Sequence, residues 1–82
     1  MTQDDLTKKL QAHSKWLKNE GGEQCVIIGE NLSGLDLSNS DLTQIVLQDC
    51  NLTGANMANC VLRRANFSGS RGMQMVGTMI RR

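Results

Sequence analysis

Proline and tyrosine are absent from this chain of 82 residues, which carries one tryptophan, Trp16, and one phenylalanine, Phe67. Few of the rings that usually anchor cores and interfaces are therefore at hand. A chain this short buries only about 60% of its unfolded surface, so its core is thin. No apolar stretch approaches the roughly 18 residues of a membrane-spanning helix. The polar opening "MTQDDLTKKL" is no signal peptide, and the expected location is cytoplasmic, with no membrane partner. Acidic residues are missing beyond Asp49. Up to that point eight acids face four lysines, a net of −4; from Cys50 onward five arginines and no acid give +5. A chain that advances steadily along an axis would then be a small dipole.

Reactive groups are equally sparse. Cys25, Cys50 and Cys60 are an odd number with no C-x-x-C spacing, and His13 is the sole histidine. That pattern suits a reducing compartment better than a disulfide framework. Zinc would want four convergent ligands, and a nucleophile pairing needs a second base. No metal, cofactor or catalytic residue is expected, and the chain reads as non-enzymatic. Asn31, Asn51 and Asn66 each begin an N-x-S/T triplet, but the repeat described next produces these automatically.

What is present is order. Residues 2 to 19 read as an amphipathic helix, with Leu6, Leu10, His13 and Leu17 on one side and Trp16 beside them. Thr2 and Asp5 resemble a capping box, acids open the helix, Lys15 and Lys18 close it, and Gly21-Gly22 stops it. His13 is expected to pack or hydrogen-bond there. From Cys25 to Gly69 the chain divides into fives without an insertion: CVIIG, ENLSG, LDLSN, SDLTQ, IVLQD, CNLTG, ANMAN, CVLRR, ANFSG. The centres are Ile27, Leu32, Leu37, Leu42, Leu47, Leu52, Met57, Leu62 and Phe67. Two positions before each centre lies a mostly small or apolar residue, the one just before is usually Asn or Asp, and those after favour Ser, Thr, Gly and Asn. All three cysteines fall in the small slot, where they read as buried hydrophobes.

These nine units resemble the A-[D/N]-L-x-x pattern of pentapeptide-repeat proteins, and the helix with its Gly-Gly stop, "HSKWLKNEGG", resembles leaders in that family. The resemblance implies a mainly β fold: a right-handed quadrilateral β-helix, a pentapeptide-repeat solenoid of a little over two coils, capped by an N-terminal α-helix. Four units would make a coil, so residues twenty apart would stack, and the stack would stand only about 10 Å tall at ~4.8 Å per coil. The implied division is 1–22 for the capping helix and Gly-Gly turn, 23–69 for the β-helix, and 70–82 for a C-terminal cap or interaction tail. Both ends of so short a stack would expose backbone edges and need covers. Glu30 falls in an inward slot, where it should lie at the open end or distort the first coil.

Departures from the pattern mark the candidate surfaces. Val26, Ile28 and Val46 put apolar residues on the first face where polar ones belong; either they form a contact surface or the leader helix covers them. Arg63 and Arg64, with Arg71, Arg81 and Arg82, could grip phosphates or carboxylates. Met73, Met75 and Met79 supply adaptable apolar contacts. The expected function is a protein–protein interaction module with an unidentified protein partner, self-associating as a homodimer in its simplest form, since dimerisation through the C-terminal end is known in the family. A sharper version is a small bacterial or phage inhibitor that occupies a site on a larger enzyme or nucleoprotein complex. The alternative is nucleic-acid or polyanion binding through the arginine-rich end. The family's mimicry of duplex DNA needs long acidic rods and does not carry over.

Overall fold

The computed structural model describes residues 1–72. Helix α1 runs from Gln3 to Leu17. Thr2 is its N-cap, its hydroxyl accepting from the Asp5 N–H at 3.2 Å, so one of the orphan first-turn donors is satisfied as the sequence predicted. After the helix the chain reverses, and the Glu23 N–H donates back to the Ala12 carbonyl at 3.1 Å. That return leaves no room for a side chain at Gly22: its φ is +73°, and a Cβ there would lie 2.1 Å from the Ala12 carbonyl oxygen. No helix among the described residues is long and apolar enough to cross a membrane.

Beyond the reversal the chain comes back alongside itself every twenty residues. Strands β1 (Val26–Ile28) and β2 (Val46–Gln48) pair parallel, and isolated parallel bridges join Asn31 to Asn51, Asp36 to Asn56, Asp41 to Val61, Val46 to Asn66 and Asn51 to Arg71. Four lines of bridges result, numbered here from first to fourth in chain order. Between laps each five-residue unit exchanges backbone bonds in one register, for example Leu37 N–H to Asn56 O at 2.8 Å, Asn39 N–H to Ala58 O at 2.9 Å and Asn56 N–H to Leu35 O at 2.9 Å.

The five-residue period follows from three local causes. First, each centre residue from Ile27 to Leu62 is buried, and the stacked centres fill the interior with Cys25, Ile45, Cys50, Ala55 and Cys60; Phe67 is half-buried against them. Second, the Asn or Asp before a centre turns its oxygen onto the N–H two residues later, as at Asn31 to Ser33 (3.0 Å), Asp36 to Ser38 (2.9 Å) and Asn66 to Ser68 (3.0 Å). Third, the last residue of every unit has positive φ, from Gly29 through Asn39, Asp49 and Asn59 to Gly69. The two outer preferences seen in the sequence are thus the hydrogen-bond acceptor and the left-handed residue of a corner.

Helix α1 lies against one edge of the first lap. Leu6 is fully buried on the core. Gln3 presents its side-chain amide to Asp36, donating from Nε2 to the Asp36 carbonyl at 2.9 Å and accepting the Asp36 N–H at 2.8 Å. His13, also fully buried, donates from Nε2 to the Thr43 carbonyl at 2.8 Å and accepts the Cys25 N–H on Nδ1 at 2.9 Å. Those two bonds define a neutral imidazole with its proton on Nε2. Trp16 stacks on the same ring with centroids 5.5 Å apart.

Candidate interaction surfaces

On the first line the recurring Asn or Asp is replaced by Val26 and Val46. Valine has no oxygen to accept the N–H two residues on, and its branched carbon favours extended backbone. With valine in two successive laps the chain runs as paired strands here and nowhere else among the described residues; Val61, which replaces the Asn or Asp in one lap of the fourth line and faces Asp41, makes only an isolated bridge. Ile28 points outward from the same strand. Val26 is 48% and Ile28 59% exposed, while Val46, flanked by Val26 and Asn66, is half-buried. The expectation that the leader helix covers these residues fails: the helix bonds the third and fourth lines through Gln3 and His13 and reaches the start of the first, where His13 meets Cys25 and Lys9 and Ala12 line a groove with Val26, yet Val26 and Ile28 stay exposed.

Among the described residues, Arg71 does not join Arg63 and Arg64. Arg63 and Arg64 are exposed at the corner that follows the fourth line, where Arg63 O accepts the Gln44 N–H at 2.8 Å. Arg71 belongs to the second line, bridged to Asn51, and shares a cleft of about 250 Å³ with Glu30 and Asp49. Arg64 has φ +57°, and Gln44 in the lap before it has φ +62°. Every other last-of-five position from Gly29 to Gly69 is Gly, Asn or Asp, so these two stand where the left-handed region costs an ordinary side chain about 1–2 kcal/mol. Met73, Met75, Met79, Arg81 and Arg82 lie outside the described residues.

Glu30 does not enter the core. Its side chain is 46% exposed, with Oε1 3.8 Å from the Met1 amino nitrogen. Its backbone keeps the lap register, the carbonyl accepting from Asn51 N–H at 3.0 Å. Turning the carboxylate outward avoids burying a charge at no cost to the ladder.

The cysteines are buried and free. Burial pushes the Cys25 thiol up to about 11, opposed by Lys9 and assisted by Cys50; burial likewise raises Cys60, opposed by a backbone hydrogen bond from Ser40. Thiols so placed are weak nucleophiles at neutral pH. Among the described residues, no three or more His, Cys, Asp or Glu side chains gather as metal ligands would. The Asp36 carboxyl is held below its ordinary value, first by the Ser38 hydroxyl and then by the Ser38 N–H.

One functional contact escaped the sequence. Gln3 is a polar residue in the first helical turn with no periodic or motif signal, yet it bonds the backbone of a residue thirty-three positions away. Comparison with known proteins adds one result: the family model for pentapeptide repeats matches residues 31–69, in eight copies. No curated protein and no solved structure matches the chain.

Proposed function

The chain belongs to the pentapeptide-repeat family, and from that premise we propose that it is a non-enzymatic protein–protein interaction module whose contact surface is the Val26/Ile28/Val46 line. Members of the family are often interaction modules and are generally non-enzymatic. In this reading the twenty-residue laps are coils of a right-handed quadrilateral β-helix, residues 1–22 are its cap, 23–69 its body, and 70–82 a second cap or tail. Parallel bridges on four lines and buried centre residues support that architecture.

One observation carries the functional reading. On the line where valine replaces the capping Asn or Asp, two large apolar side chains stay exposed although a helix lies against the same end of the molecule. Exposed apolar neighbours on a small protein mark contact surfaces. The sharper version, a small bacterial or phage inhibitor that occupies a site on a larger enzyme or nucleoprotein complex, draws on the compactness of the repeat and on family analogy.

Capture from a bacterial lysate tests the surface. Wild type should retain a partner that Val26→Ser/Ile28→Ser loses and Arg63→Glu/Arg64→Glu keeps. The opposite pattern would move the function to the arginine corner. A second reading, polyanion binding at Arg63 and Arg64, is favoured by Arg64 holding a left-handed conformation that a glycine would adopt without cost. It requires binding to duplex DNA that falls steeply as salt rises.

A further inference from the structure

Strand β1 has one partner and one bare edge. In a parallel ladder alternate residues turn their N–H and C=O to opposite sides. Cys25 and Gly29 face β2, through Val46 N–H to Cys25 O at 3.0 Å and Gly29 N–H to Gln48 O at 2.9 Å, and Ile27 between them shares that side. Val26 and Ile28 therefore turn their backbone groups the other way, where no described residue bonds them. The same edge of the lap is closed on the third line by Gln3 and on the fourth by His13. An unpaired strand edge with apolar side chains is a template for another strand.

We infer that this edge is a strand-addition site occupied by a second copy of the chain, the two β1 strands pairing antiparallel about a two-fold axis through Ile27. The inference rests on the protein-interaction reading above and names its partner. In that register Val26 of one copy lies opposite Ile28 of the other. Each such pair exchanges two N–H···O bonds, four in all, with every bare group used. The outward side chains of Val26 and Ile28 then abut across strands and cover each other.

Charge agrees with the two-fold. Lys9 lines the groove beside Glu23, Gln24, Cys25 and Val26, at the start of the strand, and Glu30 follows its end. Reversal of the second copy brings Lys9 of each toward Glu30 of the other. Gln24 falls opposite Glu30 and Glu23 opposite Asn31, so no like charges oppose each other along the paired segments, and Lys9 would share Glu30 with the Met1 ammonium that already lies 3.8 Å from it. A symmetric contact of this kind closes at two copies. With so few residues it belongs to the small, weak class below ~1,200 Å².

Sedimentation equilibrium of the full chain over a wide concentration range is the test. Wild type should show a reversible monomer–dimer equilibrium. Ile28→Lys, with an unchanged far-UV spectrum, should raise the dissociation constant by about tenfold or more, roughly 1.4 kcal/mol. Lys9→Glu and Glu30→Lys should each weaken the dimer, and the two together should restore it. These charge variants are exposed and keep the test usable if Ile28→Lys fails to fold. A wild type that stays monomeric at ~1 mM, where a Kd of that order would register, overturns the second copy as occupant. A dimer indifferent to the charge reversals overturns the edge. Either failure leaves the protein-interaction reading to be judged by the capture experiment alone.

Discussion

At Asp36, Gln3 both donates to and accepts from the backbone of the first lap, whereas at Val26 and Ile28 the equivalent groups meet nothing among the described residues. In the second lap both lines are treated alike: Asn56 N–H bonds Leu35 O, and Val46 N–H bonds Cys25 O. The difference is made at the edge. Gln3 supplies a side-chain amide where the backbone of a preceding lap would stand, with donor and acceptor in the right order. His13 does half as much on the fourth line, where its Nε2–H takes the place of a backbone donor to Thr43 O. A short helix can thus close part of an open ladder with two side chains, and the part it does not reach keeps its pairing capacity.

Three changes break or sharpen that contrast. His13→Ala should have the largest effect, because it empties a fully buried site and leaves the Thr43 carbonyl and Cys25 N–H without partners. A loss of about 2–4 kcal/mol is expected in urea unfolding; a loss below about 0.5 kcal/mol would show that water replaces the imidazole. Gln3→Ala opens the third line at a half-buried position. It should cost about 1 kcal/mol and strengthen concentration-dependent association by exposing a second edge; unchanged association would mean that the bare edge at β1 owes its behaviour to Val26 and Ile28 alone.

The smallest effect is a pH dependence. Because the folded Asp36 carboxyl lies below its ordinary value, its two bonds from Ser38 stabilise the fold above the unfolded value near ~3.9 and are lost as pH falls through the lower folded value. Between pH 5 and about 2.5 the unfolding midpoint of wild type should fall more than that of Asp36→Asn, which keeps the accepting oxygen and cannot titrate. Parallel midpoints would show that the third-line corner does not depend on the charge.

Local rules made much of this legible. Thr2 as cap, the buried centres and the twenty-residue recurrence all follow from residue types at fixed spacing, and His13 as a packed, bonded residue follows from its place on the apolar side of the helix; the stop expected at Gly21-Gly22 comes earlier, at Lys18 and a left-handed Asn19, and Gly22 serves the reversal that follows. The same spacing gave Glu30 an inward slot that a charge would avoid, and the carboxylate does lie exposed at the open end, beside the Met1 amino group. The sequence pattern also grouped Arg71 with Arg63 and Arg64, although a separation of seven or eight residues in a twenty-residue lap puts it on the second line rather than the fourth.

By itself, then, the sequence determined the period of five, which residues face inward, and where polar capping gives way to valine, since each depends only on a residue and its near neighbours. The tertiary structure alone decided which lines the helix closes. That choice depends on the angle at which α1 leaves Gly22 and on the reach of Gln3 and His13 across the lap, distances that no linear pattern encodes.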